Sequence, residues 1–80
     1  MKEKKIKLVT IDEAKVFVSK AMQCNFDVDV CYDRIMVDAK SILGVLSLNL
    51  TRELTVRMHG ENESFERYLN SIQTAGEKIA

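Results

Sequence analysis

The chain has 80 residues, of which 46% are hydrophobic and 30% are charged. This composition is typical of one small globular domain, and we expect residues 1–80 to form it. Twelve basic and twelve acidic side chains cancel, so the overall charge favours neither nucleic acid nor an anionic membrane as a partner. No apolar run approaches the ~20 residues of a membrane span. Two cysteines suit a reduced, cytoplasmic protein better than a disulfide scaffold.

The first predicted elements are a strand and a helix. Residues 5–9 alternate polar and apolar side chains, which indicates a half-buried strand after a frayed basic start. Thr10, followed three residues later by Glu13, has the form of a capping box, so a helix should begin there and end near residues 24–25. The apolar stripe of this helix has the spacing of a core face and consists of Ala14, Phe17, Val18 and Ala21.

A hairpin is predicted next. Residues 27–32 alternate and predict a strand, residues 33–34 a tight turn, and residues 35–39 the return strand. The side chains expected on the core side of this hairpin are Val28, Val30, Tyr32, Ile35, Val37 and Ala39.

The second half of the chain repeats the alternation of helix and strand. A short helix should begin after Ser41 and run to about Leu50, and residues 54–59 alternate as a strand that Gly60 ends. An amphipathic helix should begin near Glu63, with Gly76 as its C-terminal cap. The order strand, helix, strand, strand, helix, strand, helix predicts an α+β fold.

We expect a two-layer, open-faced sandwich: a four-stranded, mainly antiparallel sheet with three helices on one face. The residues that should be buried together are Val28, Val30, Val37, Val56, Phe17, Val18, Leu69 and Ile72. The side chains that should face water on the other side of the sheet are Lys5, Lys7, Asp27, Asp29, Thr55 and Arg57.

Residues 40–48 form the most apolar run in the chain. Ser41 occupies the position of an N-cap, where its hydroxyl would accept a free backbone N–H of the first helical turn. A short helix that is apolar all round cannot bury every side chain, so it is either a core helix or one that offers a second face to a partner. We expect one side to point inward and the other to be at least partly exposed. The inward set is Ile42, Val45 and Leu48, and the exposed set is Leu43 and Leu46.

This run, Lys-Ser-Ile-Leu-Gly-Val-Leu-Ser-Leu, and the order of elements resemble HPr, the histidine-containing phosphocarrier of the bacterial sugar phosphotransferase system. The resemblance covers nearly the whole chain. It implies that Ser41 is a regulatory phosphorylation site for a dedicated serine kinase, as in carbon catabolite repression. It also implies a docking surface for protein partners (the serine kinase, a transcription regulator or phosphotransferase components) and allows self-association. The residues implied for that surface are Lys40, Ile42, Leu43, Leu46 and Ser47.

The chain departs from the family at the phosphate-accepting loop, whose pattern is Gly-Ile-His-Ala-Arg-Pro-Ala. Here Val9 leads to Ala14 through Thr-Ile-Asp-Glu, with no histidine, arginine or proline. Phosphoryl transfer needs an imidazole nucleophile and groups that hold an anion, whereas Asp12 and Glu13 would repel one. We therefore expect a non-catalytic, regulatory protein that lacks phosphocarrier activity by the usual route.

Two alternatives remain open: a phosphocarrier with a displaced acceptor, or a diverged interaction domain without phosphorylation. His59, the single histidine, is expected to be an ordinary polar residue at a strand end, although it is the one imidazole available as a displaced acceptor. Cys24 and Cys31 lack the close spacing of a redox or zinc site. We expect no catalytic residue, metal or cofactor.

Overall fold

The computed structural model describes residues 2–74 and has the predicted order of elements. They are β1 (Lys2–Ile6), α1 (Ile11–Met22), β2 (Val28–Tyr32), β3 (Ile35–Asp38), α2 (Ile42–Leu46), β4 (Leu54–Met58) and α3 (Glu63–Ile72). The strands form one sheet in the order β1-β4-β2-β3, and all three pairings are antiparallel. The helices cover one face of this sheet, which confirms the predicted α+β sandwich.

The strand register separates an apolar face of the sheet from a charged one. The row of paired residues on the helix-covered face is Lys4, Val56, Val30 and Val37. The next row, on the helix-free face, is Glu3, Arg57, Asp29 and Asp38. Arg57 Nε lies 2.8 Å from Glu3 Oε2 across this outer row. The predicted solvated face is therefore present, because successive side chains of a strand point to opposite sides.

The core lies between the sheet and the helices. Phe17 of α1 and Phe65 of α3 meet there with ring centroids 6.2 Å apart. Six of the eight predicted core residues are buried, namely Phe17, Val18, Val28, Val30, Val56 and Leu69. Val37 and Ile72 pack against the core but are only partly buried. The amphipathic patterns thus identified the core correctly.

The first strand is shifted relative to the prediction. β1 occupies Lys2–Ile6 rather than residues 5–9, because it pairs along its whole length with Leu54–Met58. Leu8 is buried beyond the end of the strand, which extends the alternating pattern, while Val9 is 64% exposed. The basic start of the chain is therefore part of the sheet rather than frayed.

Several element ends also differ. α2 ends at Leu46 instead of Leu50, because the Ser47 hydroxyl donates to Gly44 O (2.6 Å) and the chain turns. Ile35, predicted to face the core, is 51% exposed because β3 is an edge strand. The predicted cap Gly76 lies outside the described residues, and α3 already ends at Ile72. The remaining strand ends and the end of α1 agree with prediction to within about two residues, the usual uncertainty of such boundaries.

Candidate functional site

Ser41 is the N-cap of α2, as predicted. Its backbone is extended (φ −109°, ψ 113°), and its Oγ accepts a hydrogen bond from Gly44 N at 3.1 Å. Its own N–H donates to Asp38 O at 3.0 Å, and its carbonyl accepts from Val45 N at 2.9 Å. Ser41 is partly exposed, so the hydroxyl at the start of the helix lies at the protein surface.

The two sides of α2 differ sharply in burial. Val45 is fully buried and Leu48 is 5% exposed, while Leu43 is 79% exposed. Ile42 and Leu46 are partly buried and pack against the core. Leu43 is the most exposed large hydrophobic side chain in residues 2–74. The predicted division into an inward and an outward side is confirmed for Val45, Leu48, Leu43 and Leu46, whereas Ile42 is intermediate.

Gly44 allows α2 to lie close to the sheet. A Cβ at this position would be 3.3 Å from Val37 Cβ and 3.4 Å from Ser41 Oγ. The separation from Val37 Cβ is tighter than ordinary van der Waals contact, and that from Ser41 Oγ is at its lower limit, so a larger residue would press against β3. Gly44 therefore fixes the position of Ser41 relative to the sheet.

Lys40, for which a partner contact is predicted, forms two hydrogen bonds within the protein. Its Nζ donates to Cys24 O just beyond the end of α1 (2.9 Å), and its backbone N–H donates to Asp38 Oδ1 (2.9 Å). A cation is favourable at the carbonyl end of a helix. The contact joins residues 16 positions apart and ties the start of α2 to the end of α1.

The start of α1, where the resemblance to HPr would place a phosphate-accepting loop, is closed by its own side chains. Thr10 Oγ1 accepts from Glu13 N at 3.1 Å, and Glu13 Oε1 accepts from Val9 N at 2.8 Å. The Glu13 carboxylate therefore bonds one position earlier than in a standard capping box. Val9 and Ile11 are 64% and 58% exposed and form an apolar pair that was not predicted from the sequence.

His59 lies on the helix-free face of the sheet. Its Nε2 is 2.9 Å from Asp29 Oδ2, and its backbone N–H donates to Asp27 O at 3.0 Å. An adjoining open cavity of about 270 Å³ is lined by Lys2, Met58, His59, Gly60 and Glu61. Lys2 is drawn to Glu66 at 3.0 Å, and this carboxylate raises the pKa of the Lys2 ammonium. The cavity therefore offers no uncommitted cation to an anionic ligand.

The cysteines are two separate free thiols. Cys24 is buried, whereas Cys31 is part of β2 and lies opposite Met36. Burial raises the pKa of both thiols, which makes them weak nucleophiles. Within residues 2–74, no group of three or more histidine, cysteine and acidic residues is placed to hold a metal ion. None of the described helices is long and apolar enough to cross a membrane.

A shallow groove between α1 and α3 was not anticipated. It has a volume of about 220 Å³ and is lined by Asp12, Glu13, Val16, Tyr68 and Ile72. Burial, with a smaller effect of the Glu13 carboxylate, raises the pKa of the Tyr68 hydroxyl to about 12. Lys20 Nζ lies 5.8 Å from the centre of the Tyr68 ring.

Comparisons with known proteins agree with this architecture. The family model PTS-HPr, described as "PTS HPr component phosphorylation site", matches residues 11–77. The solved structure of HPr-C-His from Thermoanaerobacter tengcongensis is similar with a TM-score of 0.75 and 26% identity, over 89% of each chain. The phosphocarrier protein HPr from Bacillus anthracis str. Ames matches with a TM-score of 0.70 and 23% identity, over 90% of this chain and 96% of its own. No curated protein sequence matches.

The fold and these matches define an open-faced α+β protein of the HPr type. Because the family model covers most of the chain, the protein belongs to the HPr family of the phosphotransferase system. HPr proteins are phosphocarriers rather than catalysts, which agrees with the expectation of a non-enzymatic protein that works with other proteins. The matched segment starts at Ile11, within the region where this chain lacks the histidine loop.

Proposed function

We propose that this HPr-family chain acts in the cytoplasm as a single regulatory domain that binds protein partners through α2 and responds to phosphorylation of Ser41. The observation that carries the proposal is the 79% exposure of Leu43 on a helix whose neighbouring residues are buried or half-buried. Contiguous exposed apolar patches on small soluble domains often mark contact surfaces. Leu46 and Ile42, partly exposed on the same short helix, would extend the contact.

The start of α1 supports a regulatory protein over an ordinary phosphocarrier. A phosphoryl group needs a nucleophile and hydrogen-bond donors aimed at its oxygens. Here the Val9 and Glu13 amides are already bonded to Glu13 Oε1 and Thr10 Oγ1, and the residues between them supply a carboxylate at Asp12. Two carboxylates and occupied donors make this helix start unfavourable for phosphate.

The start of α2 is compatible with an added phosphate. The first turn of α2 contains no acidic residue, so no side chain within the turn would repel the new charge. A phosphoserine adds roughly −1.5 to −2 charges, which a helix N-terminus tolerates because of its free N–H groups and its dipole. Phosphorylation would therefore leave α2 folded and place negative charge beside Leu43, at the edge of the contact surface.

The expected partners are those of the family: a serine kinase, a transcription regulator and other phosphotransferase components. Of the residues first assigned to the surface, Leu43, Leu46 and Ile42 have exposed area on α2. Lys40 is better described as a positioning residue because its ammonium is held by Cys24 O. Ser47 would contribute little, since its hydroxyl already donates to Gly44 O.

The direct test is phosphorylation by the family's serine kinase, read by intact-mass spectrometry. We expect one phosphate on the wild type, one on the matched control Ser19→Ala, and none on Ser41→Ala. Ser19 is an exposed serine of α1, outside the proposed site. Equal phosphorylation of Ser41→Ala and wild type would contradict the proposed switch. Kinase-independent binding that is lost in Leu43 variants would then favour an interaction domain without phosphorylation.

A further inference from the structure

The two edges of the sheet are protected to different degrees. At the β1 edge, Gln73 forms a bridge with Ile6, and Thr74 N donates to Lys5 O at 3.0 Å, so the chain after α3 covers part of the strand. At the other edge, β3 pairs only with β2, and no second strand within residues 2–74 pairs with its outer side, where Asp38 O accepts from Ser41 N. An uncovered edge strand is a template for pairing with another strand.

The hydrogen-bond phase of β3 identifies the outward backbone groups. Ala39 N donates to Val28 O at 2.9 Å, so Ala39 faces β2. Because these bonds alternate along an antiparallel strand, Ile35 and Val37 also direct their backbone groups to β2. Met36 therefore directs both its N–H and its carbonyl away from the sheet. Asp38 directs its N–H away from the sheet as well. The Asp38 carbonyl is already used by Ser41 N.

The side chains along this edge are self-complementary. Met36 and Asp38 lie on the same side of β3, and Arg34 stands in the turn just before the strand, so a positive charge precedes the strand and a negative charge ends it. If a second copy pairs antiparallel and centred on Met36, Arg34 of each copy lies opposite Asp38 of the other. Met36 and Ile35, 58% and 51% exposed, would both be covered.

We infer that β3 pairs with β3 of a second copy of this chain, antiparallel and centred on Met36, which joins two sheets across a two-fold axis. The central Met36 pair would exchange two backbone hydrogen bonds, and the two flanking Arg34–Asp38 pairs set the register. The contact uses one short strand, so it forms a weak dimer at high protein concentration. It shares only Asp38 with the surroundings of Ser41, and a cross-link at Met36, which leaves Asp38 unchanged, can fail or succeed independently of the proposed function.

Sedimentation-velocity ultracentrifugation of the full chain up to about 1 mM tests the pairing, because weak interfaces have dissociation constants near this range. The wild type should show a concentration-dependent dimer. Each dimer contains two contacts between positions 34 and 38. Arg34→Glu places a carboxylate opposite Asp38 in both contacts, and Asp38→Lys places a second cation opposite Arg34 in both. Each variant alone should lose dimer affinity by about tenfold.

An equimolar mixture of the Arg34→Glu and Asp38→Lys chains provides the specific control. In the mixed dimer, the introduced glutamate faces the introduced lysine, and Arg34 of one chain faces Asp38 of the other. The mixture should therefore recover the wild-type affinity. The inference would be overturned if the wild type stays monomeric, if the variants dimerise as well as the wild type, or if the mixture does not recover affinity. It would also be overturned if the β3 edge binds another protein but not a second copy of this chain.

Cross-linking tests the register without relying on charge and without changing Asp38, whose carboxylate also bonds Lys40 N. Met36→Cys in a Cys31→Ser background should form a disulfide-linked dimer on mild oxidation, because opposed hydrogen-bonded residues have Cα atoms ~5.5 Å apart, within disulfide range. The background change is needed because Cys31 lies opposite Met36 in the same chain. The control is Met22→Cys in that background, at a position 63% exposed on α1. Equal dimer yields from the two variants would contradict the central position of Met36.

Discussion

The starts of α1 and α2 are two versions of the same local structure with opposite chemistry. A hydroxyl residue caps each helix, and Thr10 Oγ1 and Ser41 Oγ each accept the amide three residues later at 3.1 Å. In α1, the second and third residues after the cap are Asp12 and Glu13. In α2, the equivalent positions carry Leu43 and Gly44. One start is acidic and closed, and the other is neutral and presents an exposed leucine.

The capping residue thus determines where each helix begins, while the second and third residues after it determine what can bind there. Carboxylates in a first turn stabilise the helix through its dipole but exclude a second anion. A leucine and a glycine give up that stabilisation, and they leave room for close packing on Val37 and for a phosphate on the capping serine. The family's phosphate chemistry would thus be retained only at α2.

The largest expected difference between the two sites is in phosphoryl transfer from phosphoenolpyruvate and enzyme I. The start of α1 has no imidazole, so the protein should carry no acid-labile phosphate after this treatment, measured by intact-mass spectrometry at alkaline and acidic pH. The phosphocarrier HPr from Bacillus anthracis is the positive control. Labelling that disappears in His59→Gln would instead establish a displaced acceptor.

The sequence was informative at both helix starts because a cap is local: a hydroxyl and an amide three residues on suffice to predict it. The exposure of Leu43 followed from a similar local constraint, since a short helix that is apolar all round cannot bury every side. The contact of Lys40 with Cys24 O could not be foreseen, because it depends on how α1 packs beside α2.

Element ends were harder to predict because they depend on non-local pairing. The alternation at residues 5–9 is real, with Ile6 and Leu8 buried, but β4 selects Lys2–Ile6 as its partner. Ile35 has the right parity for the core and is still half exposed, because no strand lies beyond β3. The order of strands in the sheet, which creates that edge, is not contained in any local pattern.

A second difference should appear in partner binding when Leu43 is made like Asp12. Leu43→Asp should reduce affinity for the serine kinase by at least tenfold, the usual effect of losing a central contact residue. Its free energy of unfolding should change by less than about 0.5 kcal/mol, because little buried area is lost and the new charge suits the helix start. Titration calorimetry and urea unfolding measure the two quantities.

Two further variants separate contact from charge at this position. Leu43→Gln removes the apolar side chain without adding charge and should weaken binding similarly. Met22→Gln removes an apolar side chain on α1 that is 63% exposed, and it should leave binding unchanged. Wild-type affinity in both Leu43 variants would show that α2 is not the docking surface.

The caps themselves should contribute equally to stability. Ser41→Ala and Thr10→Ala should each lower the free energy of unfolding by about 1 kcal/mol, since each leaves one amide of a first turn without its acceptor. Ser41→Asp should retain most of this stability because aspartate is also a good N-cap. Urea unfolding followed by circular dichroism measures all three. A loss several times larger for Ser41→Ala would indicate that Ser41 also supports the packing of Gly44 on Val37.

The smallest expected effect concerns the acidic residue that distinguishes the start of α1. Asp12→Asn removes one charge from the first turn and keeps a similar shape, so it should cost about 0.3–1 kcal/mol at low salt, the range for a charge near a helix end. The loss should shrink at 1 M salt, where the screening length is only about 3 Å. The matched change Asn62→Asp at the cap of α3, whose side chain accepts from Phe65 N at 3.0 Å, should act in the opposite direction by a similar amount. If Asp12→Asn shows the same stability at both salt concentrations, the dipole does not explain the acidic start of α1, and its carboxylates would have to be explained by the groove that Asp12 and Glu13 share with Tyr68.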